Sequence, residues 1–242
     1  MFLPFNHAIP AANRLLNALP CRDRDRLIAN CEPIELVFAE VLYRRGELIP
    51  HVYFPTGSYI SLMMPGDGDA GLEVGLVGNE GMLGITLMQG VNISPFQAMV
   101  QGAGPTLRIP ASLFLSELEQ CPALQRELKR YLYVLLSQLV QRAACSRCHV
   151  VEARLARWLL MTHDRAHSDE FHVTHQSLAY LLGVRRVGVT KAATALQNRR
   201  LIRYSRGNVT IIDRSGLEAA SCGCYEADQA FYARIMGLSA QA

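Results

Sequence analysis

The segment from residue 174 to residue 191 constrains the fold most, because its apolar residues recur at helical spacing and are interrupted once, at Gly183. This pattern predicts two amphipathic helices joined by a tight turn. The segment lies in a window, 171–212, that contains no acidic residue and seven basic ones. They are Arg185, Arg186, Lys191, Arg199, Arg200, Arg203 and Arg206. Two helices with a tight turn and charge of one sign are suited to laying a helix against phosphates, so the window predicts binding to double-stranded DNA.

The net charge of +3 averages two unlike parts of the 242-residue chain. Residues 1–145 hold 11 basic and 13 acidic residues, whereas residues 146–242 hold 13 basic and 8 acidic ones. This asymmetry predicts a basic nucleic-acid-binding module joined to a module with another task. Only Lys129 and Lys191 are lysines, so the positive charge is nearly all guanidinium, which favours two-donor contacts with phosphate or guanine.

Targeting and membrane signals are not found in the sequence. The N-terminus lacks the basic region of a signal peptide, and no apolar run approaches the roughly 18 residues that a membrane span needs. The seven cysteines are irregularly spaced, which argues against a secreted disulfide framework. We therefore expect a reduced, cytoplasmic protein.

The region 34–110 is expected to form short strands, because β-branched and aromatic runs alternate with Gly and Pro. Turn signals every 8–12 residues or so are typical of an antiparallel sandwich or barrel. The expected strands are 40–47, 51–57, 59–63, 73–78, 98–101 and 106–109. A helix is expected at 111–120, and Pro122 suits the first turn of the next one.

Leucines after Pro122 recur at spacings of three and four residues, close to a heptad repeat. This spacing predicts a helix of about six turns with a seam that mediates self-association. A helix packed only on the core of its own domain would give the same pattern. The residues expected at the dimer interface are Leu128, Leu132, Leu135 and Leu139.

Two further elements are expected beside the helix pair. A second amphipathic helix is predicted over 151–164, with Arg154, Arg157 and Arg165 facing outward, and 163–170 is expected to be a polar loop. The β-branched runs on both sides of Gly207-Asn208 predict a hairpin, which after a recognition helix forms a wing.

Motifs in both halves of the chain carry a family resemblance. In 174–191 they are Thr-x-Gln, Leu-Gly and Arg-x-x-x-x-Lys, and in the β region Arg44-Arg45-Gly46-Glu47 and Gly78-Asn79-Glu80-Gly81. With the order of elements, these motifs make the chain resemble the Crp/Fnr family of transcription regulators. The resemblance implies an α+β protein with an N-terminal antiparallel β-roll or jelly roll, a long dimerisation helix and a C-terminal winged helix-turn-helix. The implied divisions are an N-terminal extension (1–20), a cyclic-nucleotide-binding-like sensor domain (21–120), the long helix (121–145), the DNA-binding domain (146–217) and a tail (218–242).

The resemblance also implies DNA contacts for individual residues. Thr174 and Gln176 would hold phosphates, Arg186 would read guanine, and Lys191 would make a second basic contact. Many members carry a glutamate that reads cytosine where this chain has Val187, which can touch a thymine methyl but cannot accept a hydrogen bond. The full set of expected DNA-binding residues is Thr174, Gln176, Arg185, Arg186, Val187, Thr190, Lys191 and Arg206.

The effector site is expected to depart from the family pattern. Members that bind a cyclic nucleotide hold its ribose with a glutamate, matched here by Glu80, and its phosphate with an arginine. Phe96 and Gln97 stand where that arginine is expected, and 46–107 contains no Lys or Arg. A buried phosphate without a charge partner costs several kcal/mol, so we expect no conventional cyclic-nucleotide site unless an arginine comes from elsewhere in the dimer. Glu80, Phe96 and Gln97 are the expected effector-pocket residues, and no cofactor is expected.

The cysteines leave an alternative open. Cys145, Cys148, Cys222 and Cys224, with His149, carry ligand atoms suited to zinc or an iron–sulfur cluster, which would make the protein a redox or metal sensor. Cys145 and Cys148 are three residues apart and are expected to share a helix face. We expect these cysteines to be buried or incidental, and we predict no metal site.

The sequence as a whole predicts a homodimeric, sequence-specific DNA-binding transcription regulator. We expect no catalytic residue and no enzymatic activity, because no nucleophile and base stand at a recognisable spacing. RNA polymerase is a further candidate partner, the small-molecule effector is unidentified, and no membrane partner is expected. The rival hypothesis is a ligand-binding or redox module whose basic segment docks a protein.

Overall fold

The computed structural model describes residues 13–66 and 71–237. Residues 1–12 of the expected N-terminal extension and residues 238–242 of the expected tail lie outside the described residues. The strands are β1 (Glu32–Leu36), β2 (Val41–Tyr43), β3 (His51–Pro55), β4 (Tyr59–Pro65), β5 (Gly71–Val77), β6 (Gln97–Gly102), β7 (Gly104–Pro110), β8 (Glu170–His172), β9 (Ile202–Ser205) and β10 (Asn208–Ile211). The helices are α1 (Arg14–Asn17), α2 (Cys21–Ala29), α3 (Ala111–Gln120), α4 (Pro122–Cys148), α5 (Val151–Ala166), α6 (His175–Leu182), α7 (Arg186–Asn198), α8 (Arg214–Ala220) and α9 (Cys224–Met236), with a 3₁₀ helix at Ile85–Gln89.

The N-terminal strands form two antiparallel sheets around one hydrophobic core. One sheet has the order β1-β7-β3 and the other the order β2-β6-β4-β5. Buried side chains of both sheets, among them Phe54, Ile60, Val100 and Ile109, belong to one core cluster. The predicted α+β class, with an antiparallel β domain ahead of helices and a helix-turn-helix, is confirmed.

The long helix α4 begins in the sheet domain and ends beyond the expected residue 145, at Cys148. Pro122 occupies its first turn, where the missing N–H is no loss, and the sulfur of Cys121 accepts a hydrogen bond from the amide of Leu124. Leu124 and Leu128 are fully buried in the core of their own domain. Leu128 is therefore unavailable to a second chain, which corrects its place in the expected dimer seam.

The helix α5 is buried on nearly every side, because α7, α8 and α9 all pack against it. Its residues from Leu155 to Thr162 are all buried. The expectation that Arg157 and Arg165 face outward is therefore wrong, since only 6% and 7% of their surfaces are exposed. Each is paired with a carboxylate from a distant part of the chain, Asp228 for Arg157 and Glu80 for Arg165.

A second core cluster holds the helix pair and the C-terminal sheet, whose strand order is β8-β10-β9. The expected polar loop at 163–170 is wrong, because α5 continues to Ala166 and β8 begins at Glu170. The hairpin β9–β10 is present, but it turns at Arg206-Gly207 rather than at Gly207-Asn208. Arg206 and Gly207 both have positive φ, at 50° and 86°, as a type I′ two-residue turn requires.

None of the helices in the described part of the chain is both long enough and apolar enough to cross a membrane.

Candidate nucleic-acid interface

The first helix of the pair, α6, presents polar side chains at its N-terminus. Thr174 is the N-cap residue, and its hydroxyl accepts a hydrogen bond of 3.0 Å from the amide of Ser177. Gln176 lies exposed in the first turn. Free amides and the positive end of the helix dipole favour a phosphate at this place, which is the contact predicted for both residues.

The turn between the helices follows from the left-handed backbone of Gly183. This residue ends α6 at φ 62°, and its amide bonds to carbonyls of the last turn of α6. Arg185 is the N-cap of α7, and Arg186 is its first residue. The expectation that the second helix begins at about Arg185 is confirmed.

The two faces of α7 differ in the way a recognition helix requires. Val189, Ala192, Ala193 and Leu196 are buried in the second core. The opposite face is exposed to solvent, and 59% of Val187 is exposed. The predicted DNA-contacting residues on this face are Arg185, Arg186, Val187, Thr190 and Lys191, all exposed.

His175 joins the helix pair to the wing, a role that the sequence did not reveal. Its ring stacks on that of Tyr204 in β9, with centroids 4.4 Å apart and planes 5° apart. Its Nδ1 lies 3.1 Å from the hydroxyl of Thr190 on α7. Partial burial, and then the charge of Arg186, lower the pKa of His175 from its ordinary value. Tyr204 is itself held by the 2.6 Å bond that its hydroxyl donates to the carbonyl of Val173.

The charge of this surface is largely uncompensated. Arg199 is paired with Glu152 at 3.1 Å. Among residues 13–66 and 71–237, no ion pair engages the other basic residues of the window, Arg185, Arg186, Lys191, Arg200, Arg203 and Arg206. Arg206, at the tip of the wing hairpin, is also exposed. The eight predicted DNA-binding residues thus lie on α6, α7 and the wing, which His175 links.

The expected effector residues are not brought together. Glu80 is tied to Arg165, whose Nε donates a 2.9 Å hydrogen bond to Oε1 of Glu80. Phe96 lines a different cavity, of about 380 Å³, between the sheet domain and α4, whereas Gln97 begins β6. The expected ribose-binding role of Glu80 therefore needs correction, because its carboxylate already serves a buried arginine.

The cavity beside Phe96 is almost entirely apolar. It is closed by β4 and β5 on one side and by Leu132, Leu135 and Leu139 of α4 on the other. Arg142 of α4 reaches its edge, but that guanidinium is 2.9 Å from Oε1 of the buried Glu73. Arg142 is thus an arginine that reaches the cavity from another part of the chain, but it is already paired with Glu73. An anionic ligand would have to displace Glu73 to bind it.

Of the four cysteines considered as metal ligands, Cys145, Cys222 and Cys224 are buried, as expected, whereas Cys148 is exposed. Cys145 lies with Cys222 and Cys224 in a small cluster of its own, apart from both cores.

Comparison with protein families identifies the C-terminal part. The Crp-like helix-turn-helix domain matches residues 153–220. The chain carries a Crp-like helix-turn-helix domain. All eight predicted DNA-binding residues fall inside the matched range, and the resemblance to Crp/Fnr regulators is confirmed.

Solved structures show that the fold extends beyond this domain. FixK2 of Bradyrhizobium japonicum aligns with a TM-score of 0.66 at 12% identity, over 79% of this chain and 98% of that one. The c-di-GMP-responsive regulator CLP of Xanthomonas campestris gives 0.64 at 17%, over 79% and 99%. A Crp/Fnr-family regulator of Thermus thermophilus gives 0.65 at 20%, over 78% and 98%. The fold is that of Crp/Fnr transcription regulators, and no curated protein sequence matches the chain.

Proposed function

We propose that this protein is a homodimeric transcription regulator that binds a specific, pseudo-palindromic DNA site and is not an enzyme. The observation that carries the proposal is the exposed outer face of α7, where Arg185, Arg186 and Lys191 have no acidic partner among the described residues. Guanidinium groups on the first turn of a helix fit the donor geometry that reads guanine in the major groove. Thr174 and Gln176 would then fix the register through phosphates.

In this proposal, residues 21–120 are the sensor domain, 121–145 the dimerisation helix and 146–217 the DNA-binding domain. Val187, at the start of α7, would favour a thymine methyl over cytosine, so the operator should differ from the site read by members with glutamate there. RNA polymerase stays a candidate partner.

The exposed stripe of α4 supports the homodimer. Leu136, Leu139 and Val140 expose 53%, 44% and 72% of their surfaces, although all three are aliphatic. A contiguous aliphatic stripe on a long helix is typical of a protein–protein contact. Two recognition helices would then meet major-groove faces about one helical turn apart.

The effector, in this proposal, is an apolar small molecule rather than a cyclic nucleotide. The cavity beside Phe96 supports this inference, because Arg142, the one charged residue that lines it within 13–66 and 71–237, is paired with Glu73. The cavity also borders Leu136 and Leu139, so a ligand there would contact the same helix that the second chain packs on.

The base-reading role of Arg186 is tested by Arg186→Ala. Binding sites are first selected from random duplexes, and affinities are then measured by fluorescence anisotropy at several salt concentrations. We expect a loss of about 1–3 kcal/mol in binding free energy and a relaxed preference at one base position. Arg45→Ala is the control, because it removes a charge that is also exposed but lies in the sheet domain. Unchanged base preference in Arg186→Ala, or an equal loss in Arg45→Ala, would refute the base-reading role.

A further inference from the structure

Four side chains with metal-binding atoms meet where α4 ends. Their ligand atoms, from Cys145, His149, Cys222 and Cys224, all lie within 4.8 Å of one another. The three thiols are free and buried, with 3%, 7% and 4% of their surfaces exposed, whereas His149 closes the group from the solvent side. Neither hydrophobic core includes them, and the proposed DNA-binding function does not use them.

Local structure explains why these four converge. Cys145 and His149 are four residues apart at the end of α4, so they lie on one side of the helix, and His149 is its C-cap. Cys222 lies in the link between α8 and α9, and Cys224, after Gly223, is the first residue of α9. The packing of α9 along α4 brings this link to the last turn of α4.

We propose that Cys145, His149, Cys222 and Cys224 bind one zinc ion in a closed tetrahedral site. With zinc–sulfur and zinc–nitrogen bonds of about 2.3 and 2.0–2.1 Å, tetrahedral geometry separates two sulfurs by about 3.8 Å and a sulfur from a nitrogen by about 3.6 Å. The sulfurs of Cys145 and Cys222 are 3.5 Å apart, and the sulfur of Cys224 is 3.6 Å from Nδ1 of His149. The spacing thus suits one ion at the centre, and three thiolates with one imidazole form a common structural zinc set.

The compactness of the group argues against other occupants. The ligands of a four-iron cluster bind different iron atoms and must stand farther apart than ligands that share one ion. A disulfide between Cys145 and Cys222 would need its sulfurs at about 2.05 Å, and it would leave Cys224 and His149 without a role.

The surroundings of the site also suit a bound metal. Nε2 of Gln141 donates a hydrogen bond of 2.9 Å to the sulfur of Cys224. The buried guanidinium of Arg157 interacts with Cys145 as well as with Asp228. Zinc binding displaces the thiol protons to solvent and leaves the ion with its ligands at a net charge of about −1, beside the ion pair of Arg157 and Asp228.

A site with four protein ligands has no open position for water, so its role is structural. It would join the end of α4 to the link between α8 and α9, and α8 and α9 both pack on α5 of the DNA-binding domain. The ion would therefore fix the orientation of the helix-turn-helix against the long helix. Cys148 is exposed and stands outside this group.

The test is a titration of the reduced, metal-free, full-length protein with Co²⁺, followed by Zn²⁺. We expect thiolate-to-cobalt charge-transfer bands and the visible bands of tetrahedral cobalt, saturating at about one equivalent and abolished by Zn²⁺. Cys222→Ser and Cys224→Ser should lose most of the charge-transfer intensity, whereas Cys148→Ser, the matched control, should behave like the wild type. Circular dichroism establishes that each variant is folded.

The wild-type titration decides the proposal even if a variant does not fold. A wild-type spectrum of only octahedral, water-ligated cobalt would overturn it. An equal loss of the bands in Cys148→Ser and Cys222→Ser would also overturn it. So would a purified protein that contains a Cys145–Cys222 disulfide and still binds no metal after that disulfide is reduced. Elemental analysis of protein purified from zinc-supplied cells should give about one zinc per wild-type chain and none in Cys224→Ser.

Discussion

The guanidinium of Arg165, on α5, points toward the sheet domain. It donates hydrogen bonds to the carboxylate of Glu80 and to the carbonyl of Met161. Burial alone disfavours the charged form of an arginine, but here the ion pair and hydrogen bonds offset it, and its pKa is raised. Glu80 follows β5, so this ion pair joins the sheet domain to the first helix of the DNA-binding domain. Its loss would leave a charge buried without a partner.

We therefore expect Glu80→Ala to destabilise the protein by about 3–5 kcal/mol, measured as the free energy of unfolding in urea. Asp25→Ala is the matched control. Asp25 pairs with Arg24 at 3.0 Å, but its side chain is 66% exposed, so its removal should cost less than about 1 kcal/mol. Similar losses in the two variants would contradict the structural importance of the buried pair.

The sequence predicts the exposure and the partners of some residues better than those of others. The exposure of Arg186 and Lys191 follows from helical spacing within a single helix, so the sequence predicts it well. The burial of Arg157 depends on Asp228, which lies 71 residues farther along the chain. Cys145 and Cys222 are separated by 77 residues. Local periodicity carries no information about such partners, so neither the buried arginines nor the cysteine group can be predicted from it.

At the scale of elements, the residues at turns explain most of the correct and incorrect predictions of helices and strands from the sequence. Gly183 breaks an otherwise regular apolar pattern, so both helices and their turn are predictable. The strand β8 has only three residues and takes its stability from pairing with β10, a partner that the sequence does not reveal. The predicted turn of the wing lies one residue too late, because Gly207-Asn208 matches a common turn pair while the structure uses Arg206 at positive φ.

The turn at Gly183 is tested by Gly183→Ala, with Gly188→Ala as the control. Gly183 has φ 62°, and an added Cβ would approach Leu72 Cδ1 to 2.9 Å. We expect a loss of about 1 kcal/mol or more in the free energy of unfolding. Gly188 lies inside α7, and its added Cβ would lie at an ordinary contact distance, 3.9 Å, from Val151 Cγ2.

Because alanine favours the helix over glycine, Gly188→Ala should stabilise the protein by about 0.5–1 kcal/mol. Changes of the same sign in both variants, seen by thermal or urea unfolding, would contradict the assignment of Gly183 as a left-handed cap.

At the scale of the whole molecule, α4 contributes to two different surfaces, the core of the sheet domain and an exposed aliphatic stripe. Its first half is part of the sheet domain, where Leu124 and Leu128 are fully buried, whereas its second half exposes Leu136 and Val140. In the sequence these two surfaces look like one continuous leucine seam. Leucines spaced three and four residues apart occur both in a domain core and at an interface between chains, so the spacing does not distinguish them. The structure separates them, because Leu124 and Leu128 lie in the core whereas Leu136 and Val140 are exposed to solvent.

Val140→Glu tests the dimer, because it places a charge on the most exposed aliphatic residue of α4. We expect the wild type to sediment as a dimer and the variant as a monomer, since an unpaired carboxylate in an apolar interface is strongly unfavourable. Affinity for a palindromic site should fall by about 10²–10⁴-fold, because the second half-site is no longer bound at high effective concentration.

The matched control for Val140→Glu is Val37→Glu, which changes a valine that is 64% exposed and lies in the loop after β1, away from α4. This variant should stay dimeric and keep its affinity. A wild-type monomer that binds the full palindrome no more tightly than one half-site would refute the dimer. Loss of the dimer in Val37→Glu would instead move the interface to the sheet domain, because the stripe on α4 would then not explain association.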